Sequence, residues 1–302
     1  MIGRQMTIGC IDYLNCYPFY HHMLAQKPLK GVHVKPGLPE DLNCLVKQGV
    51  LDLSPISAAA YPPLREQIVL LPWFCLSSVG YVGSVILASK VPIEQLHGKR
   101  VGISRASKTS EILLKILLEK HYGLVPQYCT SPPRPALDDT EAALIIGNDA
   151  MVSLGRPVSY IYDIGDLWLQ KTGRPVVFAV FAVQKKAVEK QGRMLLEVID
   201  SFSNSLSLMA DEKQAVIKAA AEKYPDIDYD ISAYYDLLQF DFTPELKAAL
   251  GFYFHEAADH GLMEPVGALG FLDQNLEITQ YRLEHDKEGT DDKPRTVRIP
   301  GR

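Results

Sequence analysis

The chain has 302 residues, 47% of them hydrophobic and 22% charged, with a formal net charge of -5 at pH 7. That length has room for two domains, and the composition is that of an ordinary soluble globular protein. The negative balance speaks against a general nucleic-acid binder, which needs a basic field to displace counterions, and no apolar run approaches the ~20 residues of a membrane helix.

The opening stretch carries Arg4 and Asp12 and lacks the apolar run of a signal peptide, so the chain is expected in the cytoplasm, with no membrane partner. "MTIGCI" then reads as a strand, and a helix is predicted from Cys16 to Leu24. Between them "IDYLNCYPF" places Tyr13 and Asn15 just past the strand's end. Ligands of α/β sheets bind beyond the carboxyl ends of strands. Asn15 therefore either orients a ligand through its amide or caps the helix that follows.

"GVHVKPG" is a second strand, followed by a helix in "PEDLNCLVKQG" that Pro39 starts and Gly49 ends. "LDLSPIS" reads as a short buried strand, with Ser54 and Ser57 bracketing Pro55 where it gives way. In "CLSSVGYVGS" the hydroxyls Ser77, Ser78 and Ser84 surround Gly80 and Gly83. This fits either a turn before the strand "SVILAS" or a concave nest of backbone N–H groups. "GSVILASK", "KRVGIS", "AALIIG" and "VVFAVFAV" are continuous apolar runs, as expected of strands covered on both faces in a sheet of βαβ units.

"SRASKTSEILLKILLEK" sets Ser104, Ser107, Thr109 and Ser110 at the start of a helix predicted from Ser107 to Tyr122, with Gly123 as its stop. One hydroxyl suffices as an N-cap; the others fit an acceptor-rich ligand such as a carboxylate or phosphate. "ALIIGNDAM" ends a strand with Gly147, Asn148 and Asp149. In "YDIGDLWLQKTGRP", Trp168 stands among Asp163, Asp166 and Thr172, as a core residue or as a pocket wall. Beyond Ala187 the pattern is mostly helical, and residues 285–302 are polar and expected to be disordered.

Five scattered cysteines without a CxxC pair fit a reduced compartment. No His, Cys and carboxylate group has metal-ligand spacing, and neither GxxxxGK[ST], GxSxG, HExxH nor GxGxxG occurs. The residues alone thus predict a two-part α/β protein that holds a small anion among hydroxyls and backbone amides.

Six segments, "YLNCYPF", "GLPEDLNCLVKQGVLDLSPISAAAYP", "LPWFCLSSVGYVGSVILAS", "GKRVGISRASKTSEILLKILL", "ALIIGNDAM" and "YDIGDLWLQKTGRPVVFA", together and in this order resemble the chorismate dehydratase family of the futalosine route to menaquinone. The resemblance implies the type II periplasmic-binding-protein fold, two α/β lobes with the ligand cleft between them. It divides the chain into a discontinuous first lobe, residues 1–88 plus 178–284, and a second lobe, residues 89–177. It implies conversion of chorismate to 3-[(1-carboxyvinyl)oxy]benzoate and water, with no metal or organic cofactor and no nucleic-acid partner. Alternatives are the sister 1,4-dihydroxy-6-naphthoate synthase, which shares the fold, and a non-catalytic anion-binding protein.

On this resemblance Ser107, Thr109 and Ser110 at the helix start bind one carboxylate, with Ser84 and the Ser77–Ser78 loop contributing from the other lobe. Asn15 orients the ring or polarises the leaving hydroxyl, and Tyr13, Ser57, Gly147, Asn148 and Trp168 complete the expected substrate contacts. The proton acceptor is either the substrate's own enolpyruvyl carboxylate or Asp149.

Overall fold

The computed structural model describes residues 5–104, 106–152 and 158–273. Strand β1 (Met6–Ile11) runs through a 3-10 turn into α1 (Tyr17–His21), followed by β2 (Val32–Gly37), α2 (Pro39–Lys47), β3 (Leu53–Ser57) and β4 (Ile68–Ser78). Next come β5 (Val85–Ser89), β6 (Arg100–Ser104), α3 (Lys108–Ile116), β7 (Gln127–Ser131), β8 (Ala142–Ile146), α4 (Asn148–Met151), β9 (Tyr160–Asp163) and α5 (Ile164–Thr172). The chain returns through β10 (Val176–Gln184) to α6 (Lys185–Asp211), α7 (Lys213–Lys223), α8 (Ile231–Leu237), β11 (Leu238–Asp241) and α9 (Pro244–Asp259).

These strands form two sheets, ordered β11-β4-β10-β3-β1-β2 and β7-β6-β8-β5-β9. The chain leaves the first sheet between Ser78 and Val85 and re-enters it between Asp163 and Val176. The lobe division expected at 88/89 and 177/178 therefore falls inside β5 and β10.

Every residue of β10 is buried, because it lies between β3 and β4 and is covered on both faces. Phe181 on this strand packs against Phe19 of α1, with ring centroids 4.6 Å apart, and against Phe202 of α6 at 5.3 Å. That aromatic cluster is the core of the first lobe. The apolar runs are not all parallel βαβ strands, however. β10 pairs antiparallel with β3 and β4, and β5 pairs antiparallel with β8 and β9. Both sheets are mixed, since the chain crosses into the second sheet through β5 and back into the first through β10, each opposite in direction to the strands beside it.

Strand β4 does not stand out in the sequence, because Pro72 interrupts it. The ladder to β10 shifts register around that position, where the missing N–H leaves no broken pair. The polar segment 285–302 lies outside the described residues.

Candidate functional site

The parallel strands β1, β3 and β8 end at one place between the two sheets. Their last residues, Ile11, Ser57 and Ile146, line a cleft of ≈ 470 Å³, counting the space open to solvent. The turn after β1 adds Tyr13 and Asn15, and the link into β5 adds Val82, Ser84 and Val85. The start of α3 adds Ser107 and Ser110; Leu76, Phe178, Ala179 and Leu238 form an apolar wall from β4, β10 and β11. Pro39 completes the lining, which among the described residues contains no acid, histidine, lysine or arginine.

Two lining residues present polar atoms without a partner. Tyr13 Oη and Asn15 Oδ1 are both buried and make no hydrogen bond in the protein. Such atoms cost free energy unless a ligand satisfies them. Burial, and secondarily the charge of Asp149, raises the Tyr13 pKa well above the usual phenol range, so its hydroxyl is a donor at neutral pH. The ring lies flat against Gly147: a Cβ there would stand 2.5 Å from it, and φ is +67°. Gly147 thus makes room for Tyr13, and its N–H donates to the Ser84 carbonyl at 2.7 Å.

At the start of α3, Ser107 is the N-cap. Its Oγ accepts from the Ser110 amide at 3.4 Å and from Ser110 Oγ at 3.2 Å, which leaves the Ser107 proton free to donate. On the opposite lobe Ser57 is tied at both ends to Asn43, whose Oδ1 accepts from the Ser57 amide at 3.1 Å. The link carrying Val82 and Ser84 is held by Asp163, which accepts from the Val82 and Gly83 amides. Burial raises the Asp163 pKa, while backbone donors from residues 166, 83, 82 and 165 oppose the shift.

Of the residues predicted from sequence, Tyr13, Asn15, Ser57, Ser84, Ser107 and Ser110 come together here. The others lie elsewhere. Thr109 is fully buried and turns away from the cleft: its Oγ1 donates to the Phe178 carbonyl at 3.0 Å and accepts from the Ala59 amide at 3.1 Å. Asn148 accepts from the Leu14 amide at 2.8 Å, which ties the two lobes rather than a ligand. Ser77 Oγ donates to the Gln239 carbonyl of β11 at 3.0 Å. Trp168 is buried in a cluster with His121, Phe252 and Tyr253. Asp149 pairs with Arg134, Nε to Oδ1 at 2.5 Å, outside the cleft lining.

Tyr234 of α8 is a participant the sequence did not single out. It donates to Ser84 Oγ at 2.8 Å. Its neighbour Tyr235 donates to the Leu14 carbonyl at 3.1 Å, fixing the turn that carries Asn15. The pair "YY" gives no local signal, because the Ser84 contact spans 150 positions of sequence. Among the described residues no group of three or more His, Cys, Asp and Glu side chains stands together to hold a metal ion.

Comparison with known proteins gives consistent results. The sequence model of a family described as "Menaquinone biosynthesis" matches residues 6–259. A chorismate dehydratase of Thermus thermophilus is 31% identical over 200 residues, covering 61% of this chain and 71% of that protein. A 1,4-dihydroxy-6-naphthoate synthase of the same organism is 25% identical over 231 residues, covering 75% and 83%. Among solved structures, the periplasmic aliphatic sulphonate binding protein of Escherichia coli matches with a TM-score of 0.60 at 15% identity, over 99% of this chain and 97% of that one. That likeness shows the periplasmic-binding-protein-like fold.

Proposed function

Because the chain belongs to the menaquinone biosynthesis family, we propose that it is a chorismate dehydratase, releasing water from chorismate to give 3-[(1-carboxyvinyl)oxy]benzoate. The observation that carries this reading is the cleft lining: hydroxyl donors and one free amide oxygen on an apolar wall, with no acid or base among the described residues. The identity to a dehydratase over 200 residues supports it.

Chorismate is a cyclic dianion with an allylic hydroxyl. Its ring fits the wall of Leu76, Phe178 and Leu238; its carboxylates fit Ser107, the first-turn amides of α3, Ser57 and the Tyr13 hydroxyl. Formation of the aromatic ring requires loss of the C3 proton and the C4 hydroxyl. The substrate's enolpyruvyl carboxylate takes the C3 proton; the C3–H electron pair forms the new ring double bond, and the C4–O bond breaks. The departing hydroxide and that proton together make the water. The protein's part is to orient these groups and to donate to the departing oxygen. We take the lobes to close over the ligand, with the cleft as their common wall.

The test is incubation of the purified protein with chorismate, followed by mass spectrometry. A product lighter by one water supports the reading. Chorismate left intact contradicts it: binding without turnover would point to an anion-binding protein, and activity only on the naphthoate synthase's substrate would point to the sister enzyme.

A further inference from the structure

The buried phenol of Tyr234 sets the direction of a hydrogen bond at the cleft lining. A phenol has one proton to give. Tyr234 gives it to Ser84 Oγ, 2.8 Å away. Asn15 Oδ1, on another cleft-lining residue, is buried without a partner. Ser84 Oγ, already accepting from Tyr234, has its own proton free to donate. The Ser84 backbone is fixed by the Gly147 amide, and the Asn15 turn by Tyr235.

We propose that Tyr234 is a positioning residue that fixes Ser84 Oγ as a donor, which beside the unpartnered Asn15 Oδ1 grips one hydroxyl of the ligand. This inference rests on the dehydratase reading, in which the gripped group is the allylic C4 hydroxyl. That hydroxyl donates to Asn15 Oδ1 and accepts from Ser84. As the C–O bond breaks, negative charge grows on its oxygen, and the Ser84 donation strengthens where it is needed. Without Tyr234 this property is lost, since Ser84 could turn its proton away.

The experiment is Tyr234→Phe, which keeps the ring and deletes the oxygen. Chorismate turnover is measured together with binding of 3-[(1-carboxyvinyl)oxy]benzoate, which carries both carboxylates and no C4 hydroxyl. The expected result is a fall in kcat of at least tenfold, with KM and product affinity within about threefold of wild type. Added to an Asn15→Ala/Ser84→Ala background, Y234F leaves the residual rate unchanged. An unaltered kcat, an equal loss of product affinity, or a further drop in that background overturns the role of Tyr234 while leaving the dehydratase reading intact. A wild-type protein that leaves chorismate unchanged overturns both. If Y234F does not fold, the hydroxyl proton of Tyr234 in the wild type, identified by its loss of protection in S84A, decides instead. A slowly exchanging Tyr234 hydroxyl proton supports its bond to Ser84, and exchange at the free-phenol rate overturns it.

Discussion

Asn15 and Asp149 separate at the scale of single residues. Both follow the end of a strand in the sequence, and both carry groups suited to proton or hydrogen-bond chemistry. In the structure Asn15 keeps a bare oxygen in the cleft, whereas Asp149 is neutralised by Arg134 outside its lining. Asn15→Ala is therefore expected to lower kcat by about 10²–10³-fold, the usual loss for one preorganised group at a reacting oxygen. Its melting temperature is expected to stay near wild type, because the removed oxygen bonds nothing in the protein. Asp149→Asn is expected to turn over within threefold of wild type. Steady-state rates with thermal melts check both, and a reversed order of effects would make Asp149 the base. Residue type and position relative to strand ends were enough to mark Asn15, Ser84 and Ser107. They were not enough for Thr109, Asn148 and Asp149, because direction out of a turn depends on neighbours dozens of residues away.

The start of α3 shows how one element divides its hydroxyls between binding and closure. Ser107 and Ser110 line the cleft, while Thr109 points to the opposite side and bridges to Ala59 and to Phe178 of β10. Alternate directions are what a helix imposes on successive positions, so a cluster of hydroxyls in sequence is not a cluster in space. Farther along, a π-helical turn over Leu117–His121 carries Glu119 and Lys120 to α9, where they meet His260 at 2.9 Å and Glu256 at 2.7 Å. The second sheet's helix is thus fastened to the first sheet's at both ends. Thr109→Val preserves shape but strands the Ala59 amide and the Phe178 carbonyl, each costing about 1–3 kcal/mol. The expected outcome is a lower melting temperature and a raised KM, with kcat at saturation largely retained; calorimetry and kinetics check it. Element types were legible wherever an apolar run was uninterrupted, as in β10. They were hidden where Pro72 breaks β4 and where α8 matters only through Tyr234 reaching Ser84.

For the molecule as a whole, two mixed sheets closing on a cleft form a fold that binding proteins and enzymes both use: fold supplies the enclosure, and side chains supply the chemistry. Among the described residues no helix is long and apolar enough to cross a membrane. Enclosure also buries histidines. His21, His22 and His121 all have their pKa lowered below 6.5, first by burial. The unfolded chain then binds more protons below that value, so stability present above pH 6.5 is lost as pH falls through the lower folded pKa values. Melting temperature is expected to decline between about pH 7 and pH 5. His121→Phe, which keeps a ring against Trp168 and removes a buried nitrogen without a partner, is expected to flatten that decline. A slope unchanged in the variant would assign the acid sensitivity to other groups.

The most direct measurement is a time course of the purified protein with chorismate, read by mass spectrometry beside a parallel reaction with the naphthoate synthase's substrate. The dehydratase reading predicts loss of one water from chorismate, an aromatic enolpyruvyl ether as product, and no turnover of the second compound. Intact chorismate, or turnover of the second compound alone, would contradict it.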